Sequence, residues 1–179
     1  MIKIAVTGHR PDKLYGYNLN DERYEVLIYK ITKAIEEASG EEKDILGISG
    51  MALGVDTLFI WSLVDYEAAH RDRKVIIEGA IPFKNQPNKW SMWDKKLYEK
   101  LLNEIVDVRT YVDTIEGYNW DKKTQVGEYS SIKLEARNRY MIDKCDILIA
   151  VYDGYSKGGS YNAISYAKKI GKKIIYIDI

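Results

Sequence analysis

The chain has 179 residues, of which 27 are basic and 27 acidic, and 46% of the residues are hydrophobic. This length suits a single domain over residues 1–179, and the hydrophobic content excludes a mainly disordered chain. A formal net charge of zero gives no global electrostatic reason to bind nucleic acid or an anionic membrane. The lone Cys145 excludes an intramolecular disulfide, and one cysteine with two histidines makes a protein-bound metal unexpected.

The first residues bear on localisation. Residues 1–8 contain five apolar side chains before the sequence turns polar. An apolar stretch this short is typical neither of a signal peptide nor of a membrane span. We therefore expect a cytoplasmic protein without a membrane partner.

Short β-branched runs alternate along the chain with longer amphipathic stretches, which predicts alternating strands and helices. In chain order the predicted elements are strand 2–6, helix 24–38, strand 44–48, helix 55–66, strand 74–81, helix 93–105, strand 106–112, helix 131–144, strand 146–152, helix 161–170 and strand 173–177. Asn20 or Asp21 is expected to cap the first helix and Gly40 to end it.

Several predicted strands, such as 146–152, are apolar on both faces, which is typical of a parallel sheet covered by helices. The alternating order predicts a Rossmann-like, doubly wound α/β fold, with a mostly parallel sheet of about six or seven strands and helices on both faces. Such sheets bind ligands beyond the carboxyl ends of their strands, near the switch in strand order. The loops that follow the strands are therefore the candidate sites.

The loop after the first strand contains Thr7, Gly8, His9 and Arg10. A glycine there lets the backbone approach a ligand closely, and exposed N–H groups can bind phosphate. Arg10 is suited to bidentate phosphate binding, and His9 is suited to hydrogen bonding or general acid–base catalysis. The alternative is a structural turn in which His9 packs against a nearby tyrosine.

The loop after the second strand contains Ser49, Gly50, Met51, Gly54 and Asp56. Small residues before a helix N-terminus indicate an anion site, although the segment matches neither the GxGxxG pattern nor the GxxxxGK[ST] pattern. Asp56 either caps the helix or binds a ribose hydroxyl. Both interpretations remain open at this point.

The loop after the fifth strand contains the segment 158–160, Gly-Gly-Ser, which opens the last helix. Ser160 is a candidate helix cap and phosphate ligand, and Tyr152 or Tyr155 is a candidate stacking partner for a base. Three glycine-containing loops at one edge of a sheet predict a site for a nucleotide or a phosphosugar.

Two further features leave alternatives open. Arg137 and Arg139 precede the fifth strand, where they are either solvated or in contact with a ligand phosphate. Trp90 and Trp93 flank the loop after the third strand, where they form either an aromatic lid or the edge of the core.

These loops together resemble a known family. The segment from Thr7 to Tyr17 resembles the opening motif of YpsA-like proteins, which occur in Firmicutes and their prophages, and residues 50–56 and 150–159 fit the same family in order and spacing. The family belongs to the SLOG superfamily of Rossmann-like domains, which includes the LOG phosphoribohydrolases and the DNA-processing protein DprA. The resemblance implies a pocket for a nucleotide-derived ligand, such as ADP-ribose, NAD or a cyclic variant, and a homo-oligomer.

The resemblance to LOG enzymes extends to single residues. Arg137 and Met141 match an Arg and a Met that these enzymes carry four residues apart, and Gly159-Ser160 best matches their Gly-Thr pair. The position that corresponds to their catalytic Glu is Asn162. Because Asn neither accepts a proton nor carries a negative charge, this departure weighs against N-glycosidic cleavage by the same residues. Glu135 or Asp153 would have to supply the carboxylate.

Three hypotheses of function follow. The first is a sensor or regulatory module that binds a nucleotide-derived ligand, and the second is a nucleoside phosphoribohydrolase in which His9, Arg137 and Asp153 are catalytic. The third is a DprA-like nucleic-acid accessory protein, which the neutral charge disfavours. The candidate ligand-binding residues are Thr7, Gly8, His9, Arg10, Ser49, Gly50, Met51, Gly54, Asp56, Tyr152, Gly158, Gly159, Ser160 and Asn162.

Overall fold

The computed structural model describes residues 1–179 and contains six strands and five α-helices. In chain order they are β1 (Ile2–Gly8), α1 (Glu22–Ser39), β2 (Asp44–Ser49), α2 (Val55–Ala69), β3 (Lys74–Ile81), α3 (Met92–Lys100), β4 (Val108–Tyr111), α4 (Ser131–Lys144), β5 (Ile147–Val151), α5 (Gly159–Lys169) and β6 (Lys173–Ile177). A π-helical turn, Leu101–Ile105, continues α3, and short 3₁₀ turns occupy Pro11–Lys13 and Val112–Thr114. None of the helices has the length and apolarity needed to cross a bilayer.

The six strands form one sheet in the order β4-β3-β2-β1-β5-β6, and every neighbouring pair is parallel. This confirms the Rossmann-like α/β prediction and sets the strand number at six. The chain winds outward from β1 to β4, then returns to the other side of β1 to form β5 and β6. The switch in strand order therefore lies between β1 and β5, where Gly8 is in register with Val151.

The two faces of the sheet carry separate cores. A cluster of 27 buried residues joins the sheet to α1, α2 and the end of α3. A second cluster of 11 residues joins the opposite face to α4 and α5. Helix α2 is buried on most of its surface, and β2 approaches it so closely that a side chain at Gly47 would clash with Leu63. Glycine at this position lets the helix lie directly on the sheet.

Several element boundaries differ from the predicted ones. Strand β1 continues to Gly8, so Thr7 and Gly8 are its last residues rather than part of the loop after it. The third helix is α-helical only to Lys100 and continues as the π-helical turn to Ile105. The fourth strand spans Val108–Tyr111 rather than 106–112, because Val106 caps the π-helical turn and Val112 begins a 3₁₀ turn.

The last helix begins at Gly159 rather than at residue 161, and Gly158 is its N-cap. Ser160 is therefore the second residue of α5 and not its cap, so the predicted capping role of Ser160 is wrong.

A buried ion pair fixes the start of α4. Lys133, in the first turn of this helix, lies 3.2 Å from the Asp113 carboxylate and donates hydrogen bonds to the carbonyl oxygens of Gln125 and Glu128. The Asp113 carboxylate also accepts a hydrogen bond from the N–H of Gly127. Lys133 thus ties the long polar loop 115–130 to the helix that follows it.

We expect Lys133→Met to lower the free energy of unfolding by about 3–5 kcal/mol, because it leaves the buried Asp113 carboxylate without its cation. Urea denaturation followed by circular dichroism measures the change. Lys122→Met, at an exposed lysine of the same loop, is the matched control and should change stability by less than about 0.5 kcal/mol. Equal stability of the two variants would contradict the structural role of Lys133.

Candidate functional site

A cavity of about 320 Å³ opens at the switch between β1 and β5. Its walls are the end of β1 with the loop that follows, the start of α2, one side of α4, and the loop and first turn of α5. The cavity therefore occupies the place that the strand order predicts for a ligand.

Some of the site residues predicted from the sequence line this cavity, and others do not. The candidates that line it are Thr7, Gly8, His9, Arg10, Asp56, Arg137, Gly158, Gly159 and Ser160. The candidates that do not line it are Ser49, Gly50, Met51, Gly54, Tyr152, Asp153 and Asn162. The first and third loops thus contribute directly, whereas most of the second loop lies behind the wall.

Sequence reasoning missed several polar residues of the wall. They are Asp12, Lys13, Asn138, Ser156, Lys157 and Tyr161. Each lies within a few positions of a predicted site residue. Closeness in sequence to the glycine motif or to Arg137 could therefore have indicated that they line the cavity. Their orientation depends on how α4 and α5 pack together, which the spacing of residues does not reveal.

The N-terminus of α5 presents backbone donors to the cavity. Gly158 adopts a φ of 142°, which glycine tolerates, and no side chain caps the helix. The first N–H groups of a helix have no partner within it, and those of Gly159, Ser160 and Tyr161 form no hydrogen bond with a loop carbonyl. The amide nitrogen of the Asn138 side chain lies close by, 3.9 Å from where a Cβ on Gly159 would be. These donors form a concave surface suited to an anion.

Arg137 places a positive charge in the same wall while remaining only 6% exposed. One terminal nitrogen, Nη1, donates to the carbonyl oxygen of Gly50, and Nε donates to the side-chain oxygen of Asn138 at 2.9 Å. These two bonds use Nε and Nη1, and the other terminal nitrogen, Nη2, makes no hydrogen bond within the protein. A side chain at Gly50 would displace the guanidinium or the Asp56 carboxylate, because its Cβ would overlap Nη1 and lie 2.7 Å from the carboxylate.

Asp56 is the buried countercharge of Arg137. Burial raises the pKa of Asp56, whereas the guanidinium of Arg137 and the N–H of Ala52 act in the opposite direction. Burial likewise lowers the pKa of Arg137, which Asp56 opposes. The Asp56 side chain accepts a hydrogen bond of 3.0 Å from the N–H of Ala52, so it holds the second loop in place rather than capping the start of α2 in the usual way.

Several backbone N–H groups of the second loop have partners within the protein. The N–H of Met51 donates to the Ser49 hydroxyl at 3.2 Å, and the N–H of Val55 donates to the carbonyl oxygen of His9 at 3.2 Å. A side chain at Gly54, where φ is 89°, would meet that His9 carbonyl at 2.5 Å. The start of α2 is thus joined to the first loop.

His9 and Asp153 connect the first and third loops. The His9 Nε2 atom is buried without a hydrogen-bond partner, and it faces the Asp153 carboxylate at 3.4 Å. Burial acts to raise the pKa of Asp153, but the hydroxyl and N–H of Ser156, the N–H of Tyr155 and the His9 imidazole outweigh it, so this pKa lies well below its ordinary value. The Tyr152 ring packs against the His9 ring at 5.5 Å, and its hydroxyl donates to the Ser156 carbonyl.

The aromatic candidates outside this group do not reach the cavity. Trp90 packs edge-on against Tyr98 in the core, with 5.5 Å between the ring centroids, and Trp93 is 81% exposed. Neither lines the cavity, so the structure favours the core-edge interpretation of Trp90 over a lid. Tyr155 is exposed and also lies outside the cavity wall.

Comparison with known proteins identifies the family of the chain. The model of the YspA SLOG family (YpsA) matches residues 4–178. The chain belongs to the YspA SLOG family. This confirms the resemblance drawn from the loop motifs.

Relatives of the chain within the family occur in Bacillus. The SPbeta prophage-derived protein YoqJ of Bacillus subtilis strain 168 is 38% identical over 140 residues, which cover 78% of this chain and 79% of YoqJ. A UPF0398 protein of Bacillus cereus strain G9842 is 29% identical over 174 residues, which cover 94% of this chain and 84% of that protein. The similarity therefore extends over the whole cavity-forming fold.

The expected position of a LOG-type carboxylate lies outside the cavity of this SLOG domain. Asn162 is exposed and lines a shallow groove between α4 and α5, together with Glu135 and Arg139. Arg139 bonds Glu135 at 3.2 Å and covers the ring of Tyr166, so it does not reach into the cavity. Asp56 and Asp12 are the carboxylates that line the cavity, and Asp153 stands behind His9.

The lowered pKa of Asp153 predicts an acid-dependent contribution to stability. A carboxyl group whose pKa is lower in the folded state stabilises the fold above its ordinary pKa of 3.8 and loses this effect as the pH falls toward the folded value. Wild-type protein should therefore be more stable than Asp153→Asn at pH 7, and the difference should shrink as the pH falls from 4 to 3. Urea unfolding at each pH measures it. Asp72→Asn, at an exposed carboxylate, should show no such trend, and a pH-independent difference for Asp153→Asn would contradict the assignment.

Proposed function

We propose that this SLOG domain binds a nucleotide-derived ligand in the cavity between β1 and β5 and acts as a sensor or regulatory module. The observation that carries the proposal is that two kinds of hydrogen-bond donor, backbone N–H groups and an arginine side chain, lie in the wall of the same cavity. The unpaired N–H groups at the start of α5 face the cavity that also receives the buried guanidinium of Arg137. Together they suit a phosphate group, because the positive end of a helix and an arginine both favour negative charge.

The mouth of the cavity adds further positive charge. Arg10, Lys13 and Lys157 are exposed there, and none of them forms a salt bridge within the chain. They raise the local concentration of anions and leave their charge available to a ligand. The volume of about 320 Å³ lies at the lower end of the range for small-molecule sites, which suits a compact ligand such as a mononucleotide or one part of a larger nucleotide.

His9 adds a polar residue to the cavity wall between the first loop and α5. It lines the cavity while only 6% exposed, and its Nε2 atom faces the Asp153 carboxylate at 3.4 Å behind the wall. We infer that the sugar of the ligand lies on the His9 side of the cavity, with the phosphate at the start of α5.

Arg137 can link ligand binding to a change in the conformation of the loop before α2. Its guanidinium bonds the Gly50 carbonyl, and Gln86 donates to the same carbonyl at 3.1 Å. A phosphate that draws Arg137 toward itself weakens one of these two bonds and so alters the loop before α2. This arrangement is what a sensor requires, because the ligand must favour one of two loop states.

Nucleoside phosphoribohydrolase activity is the second candidate, favoured by the contact between His9 and Asp153. A carboxylate beside an imidazole is a common arrangement for general acid–base catalysis. With Asn162 outside the cavity, the carboxylate for N-glycosidic cleavage would have to be Asp153, Asp56 or Asp12. Chromatography of AMP after incubation with the protein distinguishes the two candidates, since cleavage releases adenine and binding alone does not.

We expect wild-type protein to be stabilised by at least one of AMP, ADP-ribose and NAD. A ligand at 100 times its dissociation constant adds about 2.7 kcal/mol, which raises the melting temperature of a chain of this length by roughly 5–10 °C. Arg10→Gln should weaken binding about 3- to 10-fold, because it removes one exposed cation at the mouth. Differential scanning fluorimetry and isothermal titration calorimetry measure both effects.

Arg71→Gln is the matched control, because Arg71 is exposed in the turn between α2 and β3, at the opposite edge of the sheet. It should leave ligand binding unchanged. The proposal fails if none of the three ligands stabilises the wild-type protein, or if Arg71→Gln weakens binding as much as Arg10→Gln.

A further inference from the structure

One aromatic residue of the cavity wall has its ring covered by a cation. Tyr161, the third residue of α5, is 37% exposed, and the Lys157 ammonium lies 3.6 Å from its ring centroid. Lys157 forms no salt bridge in the chain, and its ammonium lies over the Tyr161 ring and within reach of the Tyr161 hydroxyl. Lys157 also lowers the pKa of the Tyr161 hydroxyl. The two side chains therefore form an exposed pair held by a cation–π contact.

Both residues of the pair belong to the cavity wall. Tyr161 lines the cavity and also the groove between α4 and α5, so this residue lies at the boundary between the two. Lys157 lines the cavity and not the groove. The wall of the cavity thus includes an aromatic residue whose ring is covered by a flexible side chain of the same wall.

The ring is also adjacent to the unpaired donors. Tyr161 immediately follows Gly159 and Ser160, and consecutive Cα atoms are about 3.8 Å apart. A phosphate bound at the start of α5 therefore brings the rest of the ligand close to this ring.

We propose that Tyr161 is the stacking platform for the base of the ligand and that Lys157 covers this platform until the base arrives. The inference rests on the proposed function and names its ligand class as a nucleotide rather than a phosphosugar. Stacking of a base on an aromatic side chain contributes more to binding than an exposed cation–π contact contributes to the free protein, so the base displaces the ammonium. The released Lys157 then turns to the phosphate, which it can bind as a point charge.

The sequence offered Tyr152 and Tyr155 as stacking partners, and the structure favours neither. Tyr152 is 8% exposed, packs on His9 and does not line the cavity. Tyr155 is 78% exposed but lies outside the cavity wall. Tyr161 combines partial exposure with a place in the wall.

The test compares the affinities of AMP and ribose 5-phosphate, which share a phosphate and a ribose but differ in the base. By calorimetry, wild-type protein should bind AMP at least 10-fold more tightly than ribose 5-phosphate. Tyr161→Leu should reduce this ratio by about 5- to 100-fold, whereas Tyr161→Phe should preserve it, since the stacking face remains. Tyr155→Leu is the matched control in the same loop region and should leave the ratio unchanged.

A second variant tests Lys157. Lys157→Met uncovers the ring and removes a charge that reaches the phosphate. It should therefore lower the ratio of the AMP affinity to the adenosine affinity about 3- to 10-fold, whereas an unchanged ratio would overturn the role of Lys157. Equal affinities of wild-type protein for AMP and ribose 5-phosphate, or an unchanged ratio in Tyr161→Leu, would overturn the platform alone. Failure of both AMP and ribose 5-phosphate to bind wild-type protein would overturn this inference, and the proposed function falls with it if ADP-ribose and NAD do not bind either.

Discussion

The cavity depends on one buried hydrogen bond, from the guanidinium of Arg137 to the carbonyl oxygen of Gly50. It joins α4 to the loop before α2, two segments from opposite faces of the sheet that are 87 residues apart in sequence. A buried charge is costly unless it has a countercharge and hydrogen-bond partners. Asp56 supplies the negative charge near Arg137, and the Asn138 side chain accepts a further hydrogen bond from the guanidinium. A side chain at Gly50 would displace the guanidinium or the Asp56 carboxylate, which occupy the place that it would take.

The position of Arg137 depends in turn on the start of α4. Lys133 lies one helical turn before Arg137, so the two cations lie on the same side of the helix. Lys133 is held by Asp113 and by two carbonyl oxygens of the loop 115–130. This long loop is therefore an anchor for the helix that carries the cavity's buried cation, and its ordered contacts with Lys133 explain how so polar a segment is accommodated in a compact domain.

The sequence was sufficient for the fold because the central strands are apolar on both faces and alternate with helices of which α1 has a clear apolar periodicity. The limits of β4 were less predictable, since Val106 and Val112 have strand-like side chains but belong to turns that end the neighbouring elements. The loops after β1 and β5 could be predicted as cavity walls because strand ends meet at one edge of a parallel sheet. The bond from Val55 to His9 and the place of Tyr161 in the cavity wall were not predictable, because they depend on how distant segments pack together and no local pattern encodes that packing.

The unequal cores of the two faces have a consequence for motion. The layer of α1 and α2 shares a buried cluster of 27 residues with the sheet, whereas the layer of α4 and α5 shares one of 11. The segments with fewer buried contacts are expected to open first in local unfolding. The cavity is walled by α2 from the well-packed layer and by α4 and α5 from the other. A molecule bound there contacts both layers. Its binding should therefore slow hydrogen exchange in α4 and α5 more than in α1. The two layers would then unfold more nearly as one cooperative unit.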